Sequence, residues 1–452
     1  MNTEETVCAI EQLPFEMLCK IFDYLDIWSV KYCSRTCRRW QKTIFSDYYI
    51  KRFCFTVRLP SCYNTTREME NSDRLYCNMH INLNSDCSSN SNDGRTFNTL
   101  YSIFCYPKLE QLVTLKLTIE DNLSECIRMI MDAITRMKVL RELHIESTDC
   151  YTKRKVNILK IRSKSIELLV LRGIEPSLIK TPKLSSLHIT TKTLIDKRLQ
   201  IANEKRLFSF RIPSLKSLEI DKGASSSLAI INNMEHVLRF LNNHKQLEKL
   251  NLMHVDLSGF LFKAICENCT NLKELSIESL VILDTSTLLH LSNLAKLRHI
   301  QFNKITCLEP VSFQNVKLPN LDSLGIGSFP LHYETLDAFE SVSKITILSN
   351  NISTDFITAL AIKIPKLKQV ELKELFTGTI RLLKMLPTLE VLVVPFPLCI
   401  LNDEHPGITK IKEIHCRLEY TPRSSDIAIL RSLLPTLQLI TAGNNFKIRF
   451  QN

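Results

Sequence analysis

Glycine is scarce, with 9 residues in a chain of 452. That disfavours folds that place glycine at many turns, and it disfavours glycine-rich loops wrapped around phosphate. Long apolar runs are missing as well. No stretch approaches the roughly 18 uninterrupted apolar residues of a membrane span. The acidic opening Met1-Asn2-Thr3-Glu4-Glu5 has no apolar segment behind it, so no secretory signal is expected. Framework cysteine spacing is absent too: the 16 cysteines, among them Cys8, Cys105, Cys307 and Cys416, are scattered. Reduced thiols and a cytoplasmic or nuclear setting follow as expectations.

Motifs that carry chemistry are missing in the same way. There is no G-x-x-x-x-G-K-[ST], H-E-x-x-H or G-x-S-x-G, and no RING-type series of Cys and His pairs. Gly325-Ile326-Gly327 lacks the third glycine of a dinucleotide loop. Cys266-x-x-Cys269 stands without a second pair, which favours core or turn cysteines over zinc. We therefore expect no metal, no cofactor and no catalysis by the chain itself.

What is present is a globular composition: 44% hydrophobic and 23% charged residues, with length alone suggesting about three domains. The net charge of +11 is local. Residues 151–216 hold 16 Lys and Arg against 4 Asp and Glu, an excess of 12, so the remainder sums to 11 − 12 = −1. Within that stretch Lys153-Arg154-Lys155, Lys197-Arg198 and Lys205-Arg206 fall between repeat anchors. A solvated edge or convex face is the ordinary reading of such a run, and an acidic segment is the first partner to consider if it binds one.

The anchors belong to a repeat, L-x-x-L-x-L with aliphatic variants. It runs through Leu140/Leu143/Ile145, Ile166/Leu169/Leu171, Leu184/Leu187/Ile189, Leu215/Leu218/Ile220, Leu247/Leu250/Leu252, Leu272/Leu275/Ile277, Leu297/Ile300/Phe302 and Leu321/Leu324/Ile326. Weaker copies follow at Val342/Ile345/Ile347, Leu367/Val370/Leu372, Leu389/Leu392/Val394, Ile411/Ile414/Cys416 and Leu437/Ile440/Ala442. Leu112/Leu115/Leu117 opens the series in an ambiguous register, since Leu109 could also anchor it. From Leu140 to Leu437 the mean interval is about 25 residues, inside the leucine-rich-repeat range of roughly 20–29. Pro182, Pro213, Pro319, Pro365, Pro387 and Pro435 each precede an anchor by two positions, where proline stops a helix and feeds an extended segment. Helical patterns lie between anchors, as at residues 228–241 and Thr354–Ile364. The units resemble ribonuclease-inhibitor-like leucine-rich repeats of the cysteine-containing variety, most closely at Cys266-Glu-Asn-Cys269-Thr-Asn-Leu272-Lys-Glu-Leu275.

Residues 12–45 differ in kind. Pro14 suits a first helical turn, and Leu18, Ile21, Phe22 and Leu25 make one apolar face. Met17, Tyr24 and Trp28 make a second stripe on the same helix, and Val30, Cys33, Cys37 and Trp40 suggest a further one. A doubly apolar unit of about 40 residues cannot satisfy itself and needs a partner. Leu13-Pro14, Ile21-Phe22-x-x-Leu25 and Cys37-x-x-Trp40 resemble the F-box, with Thr36 departing from its usual Val. A plain helical cap on a repeat array is the competing reading.

Taken together the chain resembles the F-box/leucine-rich-repeat proteins. The expected fold is α/β: a three-helix F-box over 8–50, a linker over 51–108, and a leucine-rich-repeat horseshoe of short parallel strands and helices over 109–452. The linker would hold a degenerate first repeat at Ile50/Phe53/Phe55 and a flexible Ser/Asn-rich loop over 61–99. The resemblance implies docking of a Skp-type adaptor of a cullin–RING ubiquitin ligase. Leu13, Pro14, Leu18, Ile21, Phe22 and Leu25 would contact the adaptor or support that interface, with Trp40 packing internally. Strand alternation turns the middle residue of each repeat outward. His144, His188, Glu219, Asn251, Ser276, Gln301, Glu371 and His415 are thus candidates to face a protein substrate, alongside Val170, Gly325, Thr346, Val393 and Thr441. The expected role is the substrate-recognition subunit of an SCF-type ligase, acting by proximity. A non-degradative scaffold and a nucleic-acid-binding protein using 151–216 are the alternatives.

Overall fold

The computed structural model describes residues 9–46, 48–59, 75–83, 93–104, 107–119, 124–147, 159–174, 176–190, 208–222, 229–230, 234–327, 329–348, 354–373, 386, 388–395, 410–417, 424–442 and 446–450. The chain forms two compact units, Met1–Lys192 and Thr193–Asn452. Among the described residues no helix is long and apolar enough to cross a membrane.

The first unit opens with three helices, α1 (Phe15–Asp23), α2 (Ile27–Cys33) and α3 (Arg38–Ile44). Two caps divide what the spacing joins. Asp26 accepts hydrogen bonds from the amides of Trp28 (2.8 Å) and Ser29 (3.0 Å), which starts a new helix and moves Trp28 off α1. Cys37 Sγ accepts from the Trp40 amide at 3.5 Å, so Cys33 and Trp40 lie on different helices.

A row of parallel strands follows: β1 (Cys54–Leu59), β2 (Asn78–Leu83), β3 (Thr114–Ile119) and β4 (Glu142–Ser147). It continues through β6 (Leu168–Arg172) and β8 (Ser186–Thr190), while β5 (Leu159–Arg162) and β7 (Pro176–Lys180) make a separate parallel pair. Helices α4 (Asp93–Phe104) and α5 (Ser124–Arg136) fill the longer connections. The expectation that 51–108 is linker is corrected, because β1 and β2 are full members of the row. The degenerate repeat is also shifted: Phe55 and Val57, not Phe53 and Phe55, align with Met79 and Ile81. β2 and part of α4 fall inside the expected Ser/Asn-rich loop. The serine- and asparagine-rich core of that segment, 84–92, lies outside the described residues, as does 60–74. Composition hid β2 because its inward residues Met79, Ile81 and Leu83 are few and sit between polar ones. The pairing Leu115↔Leu143 settles the ambiguous register in favour of Leu112/Leu115/Leu117.

The second unit repeats the scheme. β9 (Ser217–Asp221) and β10 (Ala229–Ile230) both pair with β11 (Lys249–Ser258), and β11 continues through β12 (Glu274–Val281) and β13 (His299–Thr306). Then come β14 (Ser323–Ile326), β15 (Lys344–Ile347), β16 (Gln369–Leu372), β17 (Val391–Val394), β18 (Glu413–Cys416) and β19 (Leu439–Ala442), all parallel. β20 (Phe446–Arg449) turns back antiparallel on β19. Helices α6 (Met234–Asn243), α7 (Gly259–Asn268), α8 (Thr354–Lys363) and α9 (Ser424–Leu433) lie in the connections. Of the expected helix over 228–241, the first part is instead the short strand β10. The 18 residues from Ile166 to Leu184 and the 21 from Leu321 to Val342 leave no length for a three-turn helix. The β7 strand and a 3₁₀ segment, Tyr333–Phe339, take those places.

All thirteen anchor triplets from Leu140 onward supply strands, and their aliphatic members are buried. The prolines before them serve as turn corners: Leu184 N–H bonds to Thr181 O and Leu321 N–H to Leu318 O, each closing a turn around Pro182 or Pro319. Pro387 lies outside the described residues. At each step from β2 or from β9 onward within a row, the next two amides share one carbonyl of the preceding repeat. Lys273 and Glu274 both donate to Glu248 O, and Arg298 and His299 both donate to Lys273 O.

One buried imidazole pins α6. His244 is wholly buried, its Nε2 accepts from Ile212 N–H (3.1 Å) and its Nδ1 donates to Phe240 O (2.7 Å). That pattern requires the neutral ring, and burial pushes its pKa below the usual 6.5. The stability this gives is complete above pH 6.5 and is lost as pH falls through the depressed folded-state value. Urea titrations should show wild type weakening below pH 6.5 by more than His244→Gln does. His244→Ala should cost about 2–4 kcal/mol at pH 8.

Candidate functional site

The three N-terminal helices bury one side and expose the other. Leu18, Cys19 and Phe22 of α1 meet Val30, Ile44, Tyr49 and Phe53 in a closed core, with Leu13, Leu25, Trp40 and Tyr76 partly buried against it. Phe22, with no exposed surface, packs edge-on against Trp40 (centroids 5.3 Å) and Tyr49 (6.1 Å). The Tyr49 hydroxyl bonds to Cys19 O and to Asp23 Oδ1 (2.8 Å). Arg52 donates to Phe22 O (3.0 Å) and Leu25 O (3.1 Å), satisfying carbonyls at the open end of α1. Burial and the Asp23 carboxylate drive the Tyr49 phenol pKa upward, so it stays a donor.

The opposite face of α1 carries Met17, Ile21 and Tyr24 at i, i+4 and i+7, all exposed, Tyr24 at 91%. Phe15 is exposed beside them in sequence, and α2 adds Trp28 (67%) and Tyr32 (70%), one turn apart. Lys31 Nζ lies 4.7 Å from the Trp28 ring centroid. Six large apolar side chains are thus left in water along α1, its C-cap and α2, an exposed patch of the kind that interaction sites present.

The six adaptor positions expected from the sequence therefore divide. Ile21 is on the exposed face and Pro14 is exposed at the head of α1; Leu13 and Leu25 are half-buried. Leu18 and Phe22 are core residues that shape the surface and do not present it. Met17, Tyr24, Trp28 and Tyr32 are the residues that motif matching passed over. Met17, Tyr24 and Trp28 were signalled by the second apolar stripe, and Tyr32 by no pattern in the sequence.

The repeat positions stand in rows on the strands. His144 and His188 belong to the first unit. His188 Nε2 bonds to Ser186 Oγ (3.0 Å), while His144 is held below the usual imidazole pKa by burial and then by Lys116. In the second unit Glu219, Asn251, Ser276, Gln301 and His415 are half-buried. Gln301 donates to Asn303 Oδ1 (2.8 Å), and Asn303 in turn donates to Glu278. His415 bridges Thr441 (2.7 Å) and Glu413 (3.0 Å). Glu371 departs from the expectation. It is buried, with its carboxylate taken up by Lys344 (3.2 Å) and Thr346 (3.2 Å) of the neighbouring β15 and by Arg417, which follows β18. Val170, Gly325 and Thr346 are buried as well.

Among the described residues no group of His, Cys, Asp and Glu could hold a metal ion. Cys266 and Cys269 are fully buried at the C-terminal end of α7, and burial raises both thiol pKa values, that of Cys269 to about 12. They are core thiols, inert as thiolates. Gly327 is fixed by space: a Cβ there would strike the Asn303 backbone.

Residues 10–56 match the F-box-like family model. The helical segment is thus F-box-like, joined to rows of parallel strands in an α/β chain. No curated protein matches this sequence. Among solved structures the chain is similar to an internalin from Listeria monocytogenes, at 14% identity and a TM-score of 0.36, covering 77% of this chain and 94% of that one. It is also similar to the Rad7 and Elc1 complex of yeast, at 16% identity and a TM-score of 0.40, covering 84% and 90%.

The split between core and surface can be measured by thermal melting. Phe22→Ala should destabilise the helical segment by about 3–5 kcal/mol. Tyr24→Ser should leave the melting temperature within about 1 °C, because an exposed ring adds little to stability.

Proposed function

We propose that this chain is the substrate-recognition subunit of an SCF-type ubiquitin ligase. The observation that carries the reading is the coincidence of the F-box-like match at 10–56 with a partner-sized apolar face on the same helices. Met17, Ile21, Tyr24, Trp28 and Tyr32 would bury against a Skp-type adaptor, with Leu18 and Phe22 holding α1 at the right angle behind them. Exposed aromatic side chains of this kind are the usual anchors of tight protein interfaces.

The rows of repeat residues would hold the target protein. Their mixture of imidazole, amide, hydroxyl and carboxylate groups suits a protein surface better than a uniform phosphate track. In this reading the chain supplies no catalytic group. It raises the local concentration of a target lysine beside a charged enzyme bound elsewhere in the complex.

Co-purification of the full chain with the adaptor tests this. Met17→Ser/Ile21→Ser/Tyr24→Ser should lower adaptor affinity by about 100-fold or more, from the loss of several anchors, without changing the melting temperature. Unchanged adaptor binding in that triple variant, or no binding by wild type, would reject the reading.

A further inference from the structure

The β5–β7 pair carries a surface that neither the helices nor the main strand rows account for. From Leu159 the chain alternates strictly for seven residues. Leu159, Ile161, Ser163 and Ser165 point inward and are buried, while Lys160, Arg162 and Lys164 point out and are exposed. Hydrogen bonds hold this alternation beyond the end of β5. Ser163 N–H donates to Lys180 O (3.2 Å), and Ser165 Oγ donates to Met137 O (3.0 Å). On β7, Lys180 is exposed and in register with Arg162, and exposed Lys183 follows.

None of these five cations forms an ion pair with a described residue, and residues 159–166 and 176–190 contain no Asp or Glu. Helix α5, packed against β5, carries Arg128 and Arg136 against Glu125 and Asp132, so it adds no net charge. This contrasts with the second unit, where Lys216, Lys249, Lys273, Lys344, Lys363 and Lys412 all have carboxylate partners. Unpaired like charges at alternate positions of one strand repel each other, a modest cost that an anionic partner would reverse.

We propose that this ribbon binds an extended Asp/Glu-rich segment of a partner protein. Spacing and size carry the choice of partner. Lys160, Arg162 and Lys164 recur every two residues, about 6.7 Å, and span about 13 Å in all. Carboxylates at every second position of an extended peptide repeat at the same distance, so four or five residues cover the site. A nucleic acid fits less well. Five cations neutralise only a few phosphates, and single strands are commonly held on aromatic platforms that the exposed residues of the ribbon lack. The inference does not depend on the adaptor reading, and its test contains no adaptor.

The probe is a fluorescein-labelled ten-residue peptide of alternating Glu and Ser, titrated with the full chain and read by fluorescence anisotropy. Saturable binding is expected, weakening several-fold between about 50 and 200 mM salt. The charge reversal Lys160→Glu/Arg162→Glu/Lys164→Glu should weaken it at least about tenfold, and the Gln triple variant should weaken it by an intermediate factor. Lys317→Glu/Lys366→Glu/Lys368→Glu, with the same change of net charge on exposed residues of the second unit, should stay within about twofold. The proposal is overturned if the peptide does not bind or if the second-unit variant weakens binding equally. It is also overturned if a ten-nucleotide single strand binds more tightly than the peptide and responds to the same ribbon substitutions.

Discussion

Each strand row rests on one repeated hydrogen-bond pattern, in which two consecutive amides after an anchor share a single carbonyl of the repeat before. Sharing draws the start of every strand to the same height as its predecessor, so the aliphatic residues that follow meet in register, as Leu250, Leu275 and Ile300 do. Parallel pairing alone would tolerate a slip, and a slip of one residue would turn every inward leucine to solvent. The turn that carries each anchor fixes where the fork falls. That is why the corner accepts proline in several repeats and why interval length can vary so freely between corners.

Variable intervals then determine what lies behind the strands. Where the connection is long, helices such as α5, α6 and α7 form and bury one face. Where it is short, a 3₁₀ turn or a second strand takes the space, although Thr285–Asn293 is 3₁₀ in an interval as long as that of α7. The β5–β7 ribbon is such a substitution, and it has a consequence for charge. A helix spreads its exposed residues round an arc, whereas a strand lines them up on one side, and here that side is uniformly cationic.

The N-terminal helices obey a different constraint. Three helices of nine residues or fewer cannot enclose all of their apolar side chains, so Phe22, Tyr49 and Trp40 build a small aromatic core and the rest remain outside. Tyr49 and Arg52, which follow the third helix, tie down the end of the first by bonding to Cys19 O, Phe22 O and Leu25 O. The core holds the outer face in shape, and the outer face is what a partner would meet.

Most of the architecture was legible in the sequence because its signals are local. Leucine spacing placed the thirteen anchor strands from Leu140 to Ala442, though not β5, β7 or β10, and Leu13-Pro14 with Ile21-Phe22-x-x-Leu25 marked the helical segment. β2 was not legible, since three inward residues among polar neighbours resemble a loop until a neighbouring strand supplies the pattern, and β1 was read as a degenerate repeat two residues out of register. The helix boundaries at Asp26 and Cys37 were missed because apolar periodicity ran across them, whereas capping is decided by one side chain. At the sites, the sequence could list residues but not their depth. Periodicity alone fixed which residues share a face. Only packing in three dimensions decided that Phe22 turns inward and Tyr24 outward, that Glu371 is closed over by Lys344 and Arg417, and that Lys160, Arg162 and Lys164 stand unpaired. Burial depends on which element lies opposite, and no single segment of chain carries that information.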